Sequence, residues 1–118
     1  MKQHNKLNYV EFAASDIDAT KSFFSSSFGW DFVDYGAEYT SFSNQGLDGG
    51  FYKTDKASTT KNGGALLVLY SSNLQASLQQ VIANGGRIVK EIFEFPGGCR
   101  FHFKEPSGNE FAVWSEQR

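Results

Sequence analysis

Ser15-Asp16-Ile17-Asp18-Ala19 and Ser72-Asn73-Leu74-Gln75-Ala76 match in residue type at a spacing of 57, and this pair decides the fold. Each places a serine hydroxyl three residues before an acid or amide and just ahead of an apolar run, the signature of a helix start. Behind the first, Ile17, Phe23, Phe24 and Phe28 share a helical stripe and Gly29 stops it; behind the second, Leu74, Leu78, Val81 and Ile82 share a stripe and Gly85-Gly86 stops it. The spacing predicts two amphipathic helices of about 12 residues, capped by Ser15 and Ser72. At the same shift Phe24 falls on Val81 and Gly29 on Gly86, while Phe42-Ser43 meets Phe103-Lys104 at a shift of 61 and Gly46-x-Asp48 meets Gly108-x-Glu110 at 62. A repeat on this scale means duplicated supersecondary units.

Outward from the helices the period changes to two. Leu7–Ala13, Asp31–Tyr35, Tyr39–Ser43, Gly49–Thr54, Ala65–Tyr70, Arg87–Phe93, Arg100–Lys104 and Glu110–Trp114 read as strands, with turns at Asn44-Gln45-Gly46 and Pro106-Ser107-Gly108-Asn109. Each half is therefore strand–helix–strand–strand–strand. The fold class is α+β, in two tandem βαβββ modules at about 6–54 and 64–115, joined by a polar, solvated connector over Thr54–Gly64. A length of 118 residues suits one domain. No apolar run reaches the ~18 residues of a membrane span. The start carries no apolar signal region, Lys and Arg are spread without a patch for nucleic acid, and the single Cys99 excludes a disulfide framework. The expectation is a cytoplasmic domain whose many Phe residues form its core.

Two βαβββ modules in this length resemble the vicinal-oxygen-chelate superfamily, which includes glyoxalase I, bleomycin-resistance proteins and extradiol dioxygenases. The most specific pieces are Tyr9-Val10-Glu11-Phe12 with Ser15-Asp16-Ile17-Asp18-Ala19, then Phe23-Phe24 and Phe28-Gly29-Trp30. The closing Glu105-Pro106-Ser107-Gly108-Asn109-Glu110-Phe111 is similar to the family's Asp-Pro-x-Gly-Asn turn, with Glu in place of Asp. The resemblance implies a glyoxalase-like domain spanning 1–118. Its modules would form a cupped eight-stranded mixed sheet with helices outside, a small-molecule site in the cup, and a homodimer.

It also implies a metal in many members, held by one His, Gln or Glu on the first and last strand of each module. Counted from Asp16 and from the two Gly turns, those positions fall on Tyr9, Leu66, Gly50 and Ala112, none of them a normal ligand. His4 lies in a polar N-terminus, and His102 with Glu11 makes at most two ligands, too few for a tight site. No metal and no cofactor are therefore expected.

Alternation along the strands assigns the cup lining. Tyr9, Glu11 and Ala13 share one face of the first strand, Leu66, Val68 and Tyr70 the matching face of the fifth, and Ala112 with Glu110 and Trp114 that of the last. On the seventh strand Phe101 and Phe103 read as core, which leaves Arg100, His102 and Lys104 on the other face. The expected ligand-binding residues are Tyr9, Glu11, Tyr70, Arg100, His102, Ala112 and Trp114, with Glu11 and His102 as an acid–base pair. The competing assignment makes Glu11 an ion-pair partner of Arg100 or Lys104. Trp30 reads as packing or, with Trp114, as dimer surface; Cys99 sits in a hairpin without an activating group; and the paired glycines lack the strand–loop–helix setting of a phosphate loop. The leading expectation is a metal-independent binder of a small organic molecule. The alternatives are a lyase or isomerase working through Glu11 and His102, a drug-sequestering resistance protein, and an interaction module whose own side chains fill the cup.

Overall fold

The computed structural model describes residues 2–117. Its elements are β1 (Tyr9–Ala14), α1 (Ile17–Phe28), β2 (Phe32–Asp34), β3 (Tyr39–Phe42), β4 (Asp48–Lys53), β5 (Leu67–Tyr70), α2 (Leu74–Ala83), β6 (Arg87–Phe95), β7 (Gly98–Lys104) and β8 (Glu110–Ser115). The expected order, βαβββ twice, is present. The strands form two four-stranded mixed sheets, ordered β1-β4-β3-β2 and β5-β8-β7-β6, that together make an open cup. In each, the first strand runs parallel to the last, β1 to β4 and β5 to β8, and the other pairs are antiparallel. The parallel pair forces each chain half to cross over through its helix, the reason the module needs a helix at all.

Both helices begin one residue later than their serines implied. Asp16 caps α1, its carboxylate accepting from the Ala19 amide at 3.0 Å, and Asn73 caps α2 by accepting from Ala76 at 3.1 Å. Carboxylate and amide oxygens cap at least as well as a hydroxyl, so the side chain nearer the first turn takes the position. Gly29 ends α1 at φ 74°, where a side chain would be strained, and its amide and that of Trp30 bond back to the Ser25 and Phe24 carbonyls. The β6–β7 hairpin extends two residues further than expected on each arm, so Cys99 is a buried β7 residue whose thiol faces the Ser115 carbonyl.

Helix α1 serves both sheets. Phe24 packs on Phe51 of β4 (5.8 Å between ring centroids) and on Phe111 of β8 (5.1 Å), and Phe23 packs on Phe103 of β7 (5.6 Å). Phe12 of β1 meets Phe111 directly at 5.0 Å. Phe12, Phe23, Phe24, Phe42, Phe101, Phe103 and Phe111 are buried as expected, Phe28 packs against them partly exposed, and Phe51 joins them. Burying rings of this size dominates the stability of a chain this short. Trp30 is not spare surface: it is 6% exposed and stacks on Phe24 at 4.5 Å.

The closing turn fastens the halves together. Buried Asn109 donates from its side chain to the Ala13 carbonyl in β1 (2.7 Å) and to Glu105 (2.6 Å), and accepts from the Ser58 amide (2.8 Å). Buried Glu105 also accepts from Thr20 of α1 (2.6 Å) and from the Ser107 amide (2.8 Å). The Glu that replaces the family's Asp therefore reaches α1. The connector is correspondingly less solvated than its composition implied. Thr59 is buried, and the Ser58 carbonyl accepts the Glu110 amide at 2.8 Å, because the start of β8 needs partners that only the connector can supply.

Candidate functional site

The residues expected to line the cup divide between the two sheets. On the first, Tyr9 and Glu11 stand on the exposed face of β1 and meet Tyr39 of β3. The Tyr39 hydroxyl donates to Glu11 Oε2 at 2.9 Å and receives the Tyr9 hydroxyl at 2.5 Å. Burial, then its bonds with Tyr9 and the Glu11 carboxylate, push the Tyr39 phenol up, so it stays protonated at any physiological pH. Tyr39 also stands over Gly50. A side chain at position 50 would collide with its hydroxyl and with the Thr40 carbonyl.

On the second sheet, Arg100, His102, Ala112, Trp114 and Tyr70 come together. His102 pairs with Ala112 and Arg100 with Trp114 in the β7–β8 register, and Trp114 pairs with Tyr70 across β5. Ring contacts run from Tyr70 to Trp114 (5.1 Å), from Trp114 to Phe95 (6.3 Å) and from Phe93 to His102 (5.8 Å). The Arg100 guanidinium lies over Phe93 and Phe95, 5.3 and 5.5 Å from their centroids.

The expected Glu11–His102 pair is replaced by another. His102, 2% exposed, binds Glu110 Oε2 through Nδ1 at 2.8 Å, while Glu110 Oε1 accepts the Thr60 amide and hydroxyl, both at 2.9 Å. Glu110 and His102 lie diagonally across the β7–β8 ladder, close enough for long side chains to meet. Burial works to raise the Glu110 carboxyl, but the bonds from His102 and Thr60 outweigh it and hold it below the usual range. In the neutral imidazole, the carboxylate of Glu110 selects the tautomer with the proton on Nδ1 and the lone pair on Nε2. That Nε2, like Arg100 Nε, is buried and has no hydrogen-bond partner among the described residues. The alternative ion pair of Glu11 with Arg100 or Lys104 does not form either.

Alternation already placed Glu110 beside Ala112 on the cup face, so its reach to His102 was within the scope of strand geometry. Nothing local marked Thr60 or Tyr39, which arrive from 50 and 28 residues away. Residue pattern also gave no sign of a cavity of about 630 Å³. It lies between the halves, walled by Phe28, Trp30, Phe42, Leu67, Leu69 and Phe111, with Val68 and Tyr70 of the expected cup lining on its rim. Its volume is in the range of small-molecule sites.

The family metal does not fit these residues. Of the four ligand positions, Leu66, Gly50 and Ala112 offer no donor side chain, the Tyr9 hydroxyl is committed to Tyr39, and the Tyr39 phenol fills the space above Gly50. Among the described residues no group of three or more His, Cys, Asp or Glu side chains stands close enough to hold a metal ion.

The architecture and its sequence counterpart agree. The profile of the Glyoxalase/Bleomycin resistance protein/Dioxygenase superfamily matches residues 6–113, so the chain belongs to that superfamily. Among solved structures, it is similar to a glyoxalase-related enzyme from Fulvimarina pelagi (TM-score 0.79, 15% identity, covering 94% of this chain and 88% of that one). It is also similar to a glyoxalase/bleomycin resistance protein/dioxygenase family enzyme from Burkholderia phytofirmans PsJN (TM-score 0.76, 17% identity, 93% and 98%). A third, lactoylglutathione lyase from Agrobacterium tumefaciens, superposes with a TM-score of 0.71 at 16% identity over 97% and 96% of the two chains. At these identities the likeness establishes the fold, which carries many unrelated chemistries. No curated protein matches the sequence.

Proposed function

We propose that this superfamily member binds a small organic molecule on the cup face of β7 and β8 and does so without the family's metal. The observation that carries the reading is the filled ligand position: Tyr39 occupies the space over Gly50, and the other three positions bring no free donor. What remains on the second sheet is an aromatic surface of Tyr70, Trp114, Phe93 and Phe95 around Arg100 and His102, with Ala112 as its floor. An apolar wall with a few convergent polar groups is the usual make-up of a small-molecule site. Tyr9 and Glu11 supply the corresponding face of the first sheet. A cytoplasmic homodimer belongs to the same proposal, with the free sheet-edge strands β2 and β6 available to a second copy.

Equilibration with Ni, Zn, Mn and Fe followed by gel filtration and metal analysis tests the reading. Substoichiometric metal, together with a rise in Tm on adding neutral aromatic compounds, is the expected outcome. One metal ion per chain, located in the cup by crystallography, overturns it. Ligand recovered unchanged would assign the resistance-type, sequestering form of the function. The second reading, a lyase or isomerase, is favoured by His102, whose Nδ1 is fixed by a carboxylate and whose Nε2 is left as a base. In that reading Glu110 orients His102, where the expected acid–base partner was Glu11.

A further inference from the structure

Arg100 and His102 present an unusual pair of groups. They are two residues apart on one face of β7, which sets their Cα atoms about 6.7 Å apart with both side chains on the same side of the sheet. Each carries a buried nitrogen, Nε and Nε2, with no hydrogen-bond partner among the described residues. Buried polar atoms are rarely left in this condition, and each such case calls for a partner. The two atoms are chemically opposite. Arg100 Nε is a donor on a permanent cation, whereas Nε2 of a His102 whose Nδ1–H is given to Glu110 is an acceptor.

The surroundings hold this arrangement without satisfying it. Phe93 and Phe95 hold the Arg100 guanidinium between their faces, and Arg100 has no ion-pair partner among the described residues. Lys90, opposite His102 in the β6–β7 register, adds a second cation without an ion-pair partner among the described residues, its ammonium 6.0 Å from the Phe93 ring. Glu110 brings a carboxylate to this face, but its oxygens are engaged by His102 and Thr60. The local charge therefore calls for an anion. Strand β6 lies alongside the pair and shifts register twice, on either side of Lys90, so that Phe93 sits just past an irregularity with its ring against the imidazole. Bulges of this kind re-aim side chains beside functional sites.

Resting on the small-molecule reading above, we propose that the ligand is an aromatic hydroxy acid, its carboxylate taken by Arg100 and a hydroxyl at the far end of its ring donating to His102 Nε2. Two residues of strand rise between Arg100 and His102 is of the order of the span from a carboxylate to a hydroxyl across one ring, and Phe95 and Trp114 form the surface for its body. Phe93, whose ring lies against both groups, has to turn aside to admit it. Glu110 and Thr60 are positioning residues that keep Nε2 an acceptor.

Four probes in a titration calorimeter separate the contributions: 4-hydroxybenzoate, its methyl ester, benzoate and phenol. The hydroxy acid is expected to bind at least about tenfold more tightly than the methyl ester and several-fold more tightly than benzoate. Arg100→Gln should erase the acid–ester difference and leave the acid–benzoate difference in place. Because a variant at buried His102 risks misfolding, the hydroxyl contact is read in the unaltered protein. The 15N resonance of His102 Nε2 should shift with 4-hydroxybenzoate and stay put with benzoate. If the ester and phenol bind as well as the acid, the hydroxy-acid assignment is wrong and the small-molecule reading stands. If none of the four binds and neutral aromatics leave the Tm unmoved, both fall.

Discussion

Replacing Glu110 by Gln tests the centre of the site. The carboxylate of this buried residue receives three hydrogen bonds, from His102 Nδ1 and from the amide and hydroxyl of Thr60. Glutamine retains one carbonyl oxygen, which can keep the Thr60 bonds at neutral strength, but its NH2 then faces the Nδ1–H of His102, donor against donor. Hydrogen bonds to a charged group are worth about 1.5–3 kcal/mol, and weakening the two Thr60 bonds adds to the loss, so Glu110→Gln should destabilise by about 3 kcal/mol. At this chain length that is a fall in Tm of about 10 °C. Because the native state holds the Glu110 carboxyl below its usual value, the wild-type advantage is full above pH 4.5 and shrinks as pH falls through the lower, folded value. Urea unfolding across pH measures this, and His102 15N shifts report whether the imidazole changes tautomer. A variant within about 0.5 kcal/mol of wild type at neutral pH, with unchanged His102 resonances, would refute the assigned network.

Three further outcomes follow from the same contacts. Asn109→Ala removes bonds to Ala13, Ser58 and Glu105, and should cost about 3 kcal/mol while raising amide exchange at Ser58 and Thr60. Gly50→Ala should destabilise by about 1–3 kcal/mol in urea unfolding, because the added carbon meets the Tyr39 hydroxyl and the Thr40 carbonyl; adding Tyr39→Leu should recover part of the loss. Glu105 behaves oppositely to Glu110. Burial raises its carboxyl despite the bonds from Thr20, Ser107 and Asn109, so its native form takes up a proton more readily than the unfolded chain and stability falls as pH rises through the window above 4.5. The stability margin of wild type over Glu105→Gln should therefore be wider near pH 4.5 than at about pH 8.

Much of the molecule was legible because it rests on local periodicity. The stripe of Ile17, Phe23 and Phe24, the stop at Gly29 and the alternation of Arg100, Phe101, His102 and Phe103 need only the 3.6- and 2-residue repeats. The repeat then fixed which strand is first and last in each module. The helix caps moved by one residue because Ser15 and Asp16, like Ser72 and Asn73, are both good caps, and local sequence does not rank them finely.

What sequence alone determined is therefore the element order and the side each strand presents to the core, both of which follow from residue type and period; the family resemblance then put the ligand positions on Tyr9, Gly50, Leu66 and Ala112. Only the tertiary structure decided who partners whom: Glu110 rather than Glu11 with His102, Tyr39 over Gly50, Thr60 beneath Glu110, and a cavity walled by Trp30 and Phe42 from one half and Leu67 and Phe111 from the other. The physical reason is reach. A long polar side chain bonds whatever donor the fold brings within about 3 Å, and over separations of 28 or 50 residues that choice is made by the packing of α1 against both sheets.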